Sequence, residues 1–315
     1  MSDSIWKNRT PLFIITALIS LAALFLPGSA LPEINNRSLY HLWESGHLLL
    51  FFLGCHVLQI TYPWLFGFRS AKYVVFFSFI AAFSVLAIEG LQSFISDKSP
   101  EISDIVADAA GVLLYFSFRS HRHGKRNFFL YGSTLLLVGF VFWPVFSSLT
   151  DEILAVHQFP LLADFETPFE ASRFEGTTGK ASISDEQAFE GQHSLRLSFY
   201  PGPWSGVMLK HFPSNWFGYT QLHFAVYNPS SHPVSLHVRI HDAFFEQGDK
   251  KYSDLYSQIC WLPSGIWTKV RIPLTNIEST SKTWRLDLAS IRGLGFFVDK
   301  EERPLTLYLD NIRLE

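Results

Sequence analysis

Two rhythms of apolar and polar positions divide the chain near residue 150. Up to Leu149, long apolar runs with few charges succeed one another; beyond Phe159, apolar residues alternate with polar ones in short stretches separated by Gly, Pro, Asn and Ser. The first rhythm predicts helices in uniformly apolar surroundings, the second strands half-buried on one face. The runs 11–27, 47–66, 73–95, 102–118 and 128–149 approach the roughly 20 residues a helix needs to cross a bilayer. The expected fold class is therefore a multidomain membrane protein. An all-α bundle of about five transmembrane helices fills residues 1–150, a tether follows over 151–160, and an all-β antiparallel sandwich occupies 161–315.

In the second half the alternation is explicit in HSLRLSF (193–199), LHFAV (222–226), LHVRI (236–240), KVRI (269–272), LGFFV (294–298) and LTLYL (305–309). In the first half the run 11–27 also fits a signal peptide, since Gly28-Ser29-Ala30 follows it. The further apolar runs favour a retained first helix. Either alternative sends the chain out of the cytoplasm.

Composition changes this picture little and charge placement changes it more. A net charge of -3 excludes a broadly basic nucleic-acid-binding surface, and no nucleic-acid partner is expected. Cys55 and Cys260 fall in different halves, which excludes an intradomain disulfide framework. Lys7, Arg9, Arg69, Lys72, Arg119, Arg122, Lys125 and Arg126 all lie on one side of the five runs, against Arg37 and Lys98 on the other. The positive-inside rule then makes the amino terminus cytoplasmic and the second half extracytoplasmic, with membrane lipid as a partner of the first.

Polar residues gather at the outward ends of these runs. Glu44 and His47 open the second, Glu89 and Gln92 close the third, and Asp104 and Asp108 open the fourth. Spacings of three or four residues put each pair on one helix face, and acids at this depth are costly unless paired or wetted. The six are a candidate polar cluster, with no catalytic role assigned. The plainer alternative is that Ser103 and Asp104 cap a helix, Glu44 pairs with His47, and Gly111 is a close-packing residue.

The order Glu44-Ser-Gly-His47, Glu89-x-x-Gln92-x-Phe94, Ser103-Asp104 and Ala107-Asp108-x-x-Gly111 resembles the VanZ-like membrane proteins over about residues 10–120. Lys98 and Asp108 stand nearest to where that family usually carries an arginine and an asparagine. The resemblance implies a multi-pass unit of the bacterial inner membrane and supplies no reaction.

In the second half, Leu162-Ala-Asp-Phe165-Glu166, Glu190-Gly191-x-His-Ser194-Leu-Arg-Leu197, Gly265-Ile-Trp267 and Leu307-Tyr-Leu-Asp310-Asn311-Ile-Arg-Leu314 together resemble a carbohydrate-binding-module-like, galactose-binding-like jelly roll. Such a fold implies a structural calcium near its two ends, which places Glu166 and Asp310 as candidate oxygen ligands; no other cofactor is expected. Sugar recognition needs flat aromatic faces with converging polar groups. Trp204, Tyr252, Tyr256, His241, Asp242 and Asp254 are the glycan-binding candidates, Trp216, Tyr219, Trp261 and Trp284 offer further rings, and Trp267 and Tyr227 are expected in the core.

No nucleophile elbow, phosphate-binding glycine loop, HExxH helix or zinc cluster occurs in the sequence. The leading expectation is a membrane unit presenting an extracytoplasmic, periplasmic-side glycan-binding module to envelope or exported polysaccharide. The alternative is a membrane enzyme acting on a lipid-linked glycan or similar amphiphile through the acid and His cluster; ion-coupled transport is a further one.

Overall fold

The computed structural model describes residues 36–61, 102–122, 128–247, 255–278 and 285–315. The chain divides into two compact units, Met1–Ser147 and Ser148–Glu315. Runs 11–27 and 73–95, together with Glu89 and Gln92, lie outside the described residues.

The first unit is helical: α1 (Arg37–Glu44), α2 (Gly46–Thr61), α3 (Ile102–Arg122) and the first part of α4 (Phe128–Gln158). Helices α2 and α3 pack against each other at Gly111. A Cβ there would lie 2.3 Å from the Leu48 carbonyl oxygen, so only glycine permits this approach. One helical spacing further on, Tyr115 is buried between them, its ring edge-on to Phe52 and its hydroxyl donating to Gln59.

Among the described residues, α4 is the one helix long and apolar enough to cross a membrane. Of the five expected membrane helices, this is the one the described residues show. The described part of the second run is a helix of 16 residues. Helix α3 carries Asp104, Asp108, Arg119 and Arg122, which lower its apolarity.

The second unit is a sandwich of two antiparallel sheets. One is six-stranded, in the order β3 (Gly179–Ser184), β4 (Ser194–Phe199), β11 (Leu305–Leu314), β6 (Gln221–Tyr227) and β9 (Trp267–Pro273), with β1 (Leu161–Ala163) also pairing β11. The other is five-stranded, in the order β2 (Phe174–Gly176), β5 (Gly202–Leu209), β10 (Ile291–Glu301), β7 (Val234–Asp242) and β8 (Tyr256–Leu262). The period-two segments supply the interior: Leu195, Leu197 and Phe199 from β4, Leu222, Phe224 and Val226 from β6, and Leu236, Val238 and Ile240 from β7 meet Leu294, Phe296 and Val298 from β10. Strands β1, β2, β3, β5 and β8 were not legible as strands. In β5 the start Gly202-Pro-Trp reads as a turn, because Pro and Gly weaken strand patterns.

The stretch 151–160, expected as a tether, is helical as far as Gln158. Helix α4 contains Pro144 and runs on to Gln158, because no further helix breaker intervenes between Leu149 and Pro160. Asp151 on that last part is fully buried, as is Arg173 at the end of a 3-10 turn (Glu170–Arg173). The Arg173 Nε donates to both Asp151 carboxylate oxygens at 2.9 and 3.1 Å, and its Nη1 donates to the Leu162 carbonyl at 2.6 Å. A bidentate guanidinium thus fastens the end of α4 to the opening of the sandwich.

Candidate functional site

The outer face of the five-stranded sheet is built by strand parity. Because Val207, Leu209, Leu294, Phe296, Val298, Leu236, Val238, Ile240, Cys260 and Leu262 point inward, their alternates must point out. Those alternates are Trp204, Gly206 and Met208 on β5, Gly293, Gly295, Phe297 and Asp299 on β10, His237, Arg239 and His241 on β7, and Ser257, Ile259 and Trp261 on β8. Register aligns them in rows across the sheet: Phe297 opposes both Gly206 and His237, Asp299 opposes Trp204, Gly295 opposes Arg239, and His237 opposes Ile259.

Glycines decide how the rings lie. A Cβ on Gly206 would meet Phe297 Cδ1 at 2.0 Å, and one on Gly295 would meet Phe297 Cε2 at 2.4 Å. The Phe297 ring therefore lies down over the sheet. Gly293 makes the same room for His241, whose Cε1 a Cβ would meet at 2.2 Å. Above this floor the Arg239 guanidinium carbon stands 4.4 Å from the Trp204 ring centre and 4.7 Å from that of Phe297. Such cation–π contacts contribute roughly 0.5–2 kcal/mol each and hold the planar group in place. His237 packs edge-on to Trp204 at 5.3 Å and bonds Asp299 Oδ1 through Nε2 at 3.1 Å. Trp204 remains 41% exposed and Trp261 63% exposed, with Ile259 beside them also open. The result is an open aromatic surface with polar groups set into it.

The candidates from sequence divide sharply against this face. Trp204 and His241 stand on it, His241 being largely covered by its neighbours and by Phe245 at 5.0 Å. Tyr256 is corrected to a core residue: it points inward from β8, is 5% exposed, and burial pushes its hydroxyl up to about 12. Asp242 is corrected to a structural cap, buried and accepting the Phe245 and Asp287 amides at 3.0 and 2.9 Å. Tyr252 and Asp254 lie outside the described residues. His237, Arg239, Phe297, Asp299 and Ile259 were missed; the signal was present in LHVRI and LGFFV, whose polar and glycine positions must face away from the core.

The other sheet's outer face is also aromatic. Tyr227 and Trp267, both expected in the core, lie there half-buried 5.5 Å apart, with Tyr308 at 6.2 Å from Tyr227. The outward direction follows from parity, since Phe224, Val226, Val270 and Ile272 fill the interior. The segment 185–193 crosses this face. Phe189 packs on Trp267 at 5.5 Å, Lys269 stands 4.9 Å over Phe189, and Glu186 bonds Arg196 and the Tyr308 hydroxyl.

Glu166 and Asp310 fasten that segment. Asp310 Oδ2 accepts the Phe189 and Glu190 amides at 2.7 and 3.1 Å; Glu166 Oε1 accepts those of Gln192 and His193 at 2.8 and 2.9 Å. Between them Gly191 adopts φ +69, and a Cβ there would strike Glu166 Oε1 at 2.2 Å. Burial, with the nearby Glu166 charge adding to it, pushes the Asp310 carboxyl up to about 6. Two hard oxygen donors with surplus negative charge suit calcium, which takes six to eight oxygens, including backbone carbonyls. Among the described residues no group of three or more His, Cys, Asp or Glu gathers around a metal position, so these two carboxylates would supply only part of a coordination sphere.

In the helical unit, His47 Nδ1 lies 3.2 Å from Asp108 Oδ1, and Asp108 is 3% exposed. Glu44 pairs with His41 at 3.1 Å rather than with His47. His41, Glu44, Ser45, Ser103 and Asp104 line one cleft whose remaining wall is apolar, formed by Ala107, Phe140, Val141 and Pro144. His41 was not among the expected residues; it lies one turn before Glu44 on α1.

No family model matches the sequence, and no curated protein matches it. The similarities are structural and cover about half of the chain. An exo-β-agarase matches at 20% identity and TM-score 0.40, over 49% of this chain and 24% of that one. A family 11 carbohydrate-binding module from Clostridium thermocellum, in complex with a β-1,3-1,4-mixed-linked tetrasaccharide, matches at 14% identity and TM-score 0.38, over 49% of this chain and 93% of that one. A xylan-binding domain from Paenibacillus barcinonensis matches at 16% identity and TM-score 0.32, over 45% and 85%. The chain thus spans about a quarter of the agarase's length. At these scores the chemistry of the site is read from its own side chains.

Proposed function

We propose that this chain is a multi-pass protein of the bacterial inner membrane whose extracytoplasmic sandwich binds envelope or exported polysaccharide. The observation that carries the reading is the exposed Trp204 ring, backed by the buried Arg239 and Phe297 and with the His237–Asp299 pair beside it. An exposed indole stacks on the apolar face of a pyranose, and fixed polar groups beside it meet hydroxyls. Helix α4 supports the membrane placement by its length and apolarity. The VanZ-like, five-helix organisation of the helical unit is part of the same proposal and rests on the sequence motifs.

A structural calcium at Glu166 and Asp310 also belongs to the proposal. The ion would supply positive charge to this carboxylate pair, while the chain's own role is to hold segment 185–193 through backbone amides. The test of the main reading uses the full chain in nanodiscs against a panel of envelope and exported glycans, with Trp204→Ala as the matched variant. Binding by the wild type that Trp204→Ala weakens supports it; a folded wild type that binds no glycan overturns it.

A second reading is favoured by the His47–Asp108 contact: a membrane enzyme acting on a lipid-linked glycan or similar amphiphile, with this pair moving a proton. Asp108→Asn would then abolish turnover of such an amphiphile while Trp204→Ala left it intact. Full activity in a folded Asp108→Asn chain would sink this alternative.

A further inference from the structure

The sandwich grips α4 at the depth where that helix leaves the bilayer, an inference that rests on the membrane placement proposed above. Lys125 and Arg126 precede α4 in the sequence and mark its cytoplasmic end. At about 1.5 Å per residue its 31 residues extend about 46 Å, against a hydrocarbon core of about 30 Å. Roughly 20 residues from Phe128 cross that core, so the helix reaches its outer edge near Ser147, where the headgroup layer adds about 5–8 Å. Asp151 comes about 6 Å further on, within that layer, and it is the residue that Arg173 holds. A sandwich fastened at this depth has no room to stand clear of the lipid.

Two features of the second unit's own surface lie beside that grip. On the last turns of α4, Asp151 and Ala155 are buried and Gln158 bonds Arg173 at 3.3 Å, which turns this face to the sandwich. Leu149, Ile153 and Val156, at spacings of four and three, form an exposed apolar stripe on the other face. The second feature is the loop 210–219, whose Lys210 and His211 amides donate to the Arg173 carbonyl at 3.0 and 3.4 Å and whose Tyr219 ring packs edge-on to Phe159 at 5.4 Å. This loop is anchored. Trp216 is fully buried against Phe212, the Asn215 side-chain oxygen accepts the Phe217 amide at 3.0 Å, and Gly218 takes φ +93. The turn so held presents Phe217, 78% exposed.

Exposure alone does not mark a contact. Tyr200 is exposed as well, but at the far end of the sandwich: β11 runs from Leu305, opposite Phe199, to Leu314, whose amide donates to the Pro160 carbonyl, about 30 Å in all. Phe217 and the stripe instead adjoin a helix that continues into the apolar run, and apolar side chains at headgroup depth gain by burial at the acyl boundary. We propose that the outer leaflet covers this surface, the sandwich resting on phospholipid headgroups through Phe217 and the Leu149–Ile153–Val156 stripe.

The experiment places single nitroxide labels on the full chain in phospholipid nanodiscs, in a Cys55→Ala, Cys260→Ala background, at Leu136→Cys in the crossing part of α4, Ile153→Cys, Phe217→Cys and Tyr200→Cys. Collision with oxygen, concentrated in lipid, and with a nickel chelate, confined to water, reads each position. Leu136→Cys should meet oxygen and not nickel, and Tyr200→Cys the reverse. Phe217→Cys and Ile153→Cys should meet nickel several-fold less than Tyr200→Cys while remaining open to oxygen. Transfer to amphipol, which has no leaflet, should restore nickel access at Phe217→Cys.

Nickel access at both positions equal to that at Tyr200→Cys, with Leu136→Cys in lipid, would overturn the proposal and leave the membrane reading standing. Shielding of both from both reagents would mean that protein covers the surface and would overturn it too. Nickel reaching Leu136→Cys would overturn both. Should one of the two labels disturb folding, the other decides.

Discussion

The sandwich carries two aromatic outer faces, and they differ in what lies over them. On the six-stranded sheet, Tyr308, Tyr227 and Trp267 form a row that segment 185–193 crosses, with Phe189 packed on Trp267 and Asp310 and Glu166 fastening the segment at 189–190 and 192–193. On the five-stranded sheet, Trp204 and Trp261 stand open around a stacked guanidinium. Aromatic content is similar, so composition does not separate a binding face from a covered one. What separates them is whether the chain has spent its own side chains on the rings.

The largest effect expected strikes both faces together. Arg173→Met leaves Asp151 as a buried charge without its guanidinium, which costs about 3–5 kcal/mol. Thermal unfolding of the full chain should show the sandwich transition falling by many degrees; an unchanged transition would mean that the end of α4 is not part of the folded sandwich.

The next pair separates the faces. Trp204→Ala should weaken glycan binding roughly 30-fold, about 2 kcal/mol, with little change in melting because its ring is already exposed. Trp267→Ala should do the reverse, leaving affinity intact and costing about 2–3 kcal/mol of stability as a half-buried ring lost from the covered face. Equal behaviour of the two variants in titration calorimetry and thermal melts would erase the distinction between open and covered.

A smaller effect belongs to the covered face alone. Calcium at a hundred times its dissociation constant would stabilise by about 2.7 kcal/mol; EDTA should reverse the shift and Asp310→Asn should abolish it. Glycan affinity of a folded, EDTA-treated chain should stay at the wild-type level, since the platform lies on the other sheet.

The smallest effect is at the edge of the open-faced sheet. His211 chiefly, and Lys210 at 3.0 Å, hold the Glu175 carboxyl down at about 2. A carboxylate depressed below its ordinary 4.5 contributes stability that is fully present above pH 4.5 and is lost as pH falls toward 2. Glu175→Gln should remove that part of the acid slope in unfolding curves; because the group is half exposed, the change is small.

Legibility followed the range of the forces involved. Six strands were visible as period-two segments because alternation is set by each strand's own residues: Leu195, Leu197 and Phe199 announce an inward face without knowledge of any partner. Trp204 was singled out by its polar, loop-like surroundings. Arg239 and Phe297 were not, since the glycines that let Phe297 lie flat are Gly206 on β5 and Gly295 on β10, and no local pattern says that these strands are neighbours. Tyr256 was misplaced for a related reason: with β8 unrecognised, its parity was unknown. Helix α4 was cut short because TDEILAVHQ is less apolar than the run before it, and the partner that buries Asp151, Arg173, comes 22 residues later.

The sequence by itself determined the two-part organisation, the helical and strand rhythms and the polar residues Glu44, His47, Asp104 and Asp108 at the helix rims, all of which depend on spacings within one element. Only the tertiary structure decided that Asp108 meets His47 while Glu44 turns to His41, that segment 185–193 covers one aromatic face, and that Trp204, Arg239 and Phe297 form the other. Those outcomes depend on strand order and helix packing, where groups far apart in the chain share one desolvated surface and their contact energies, rather than their spacing, select the arrangement.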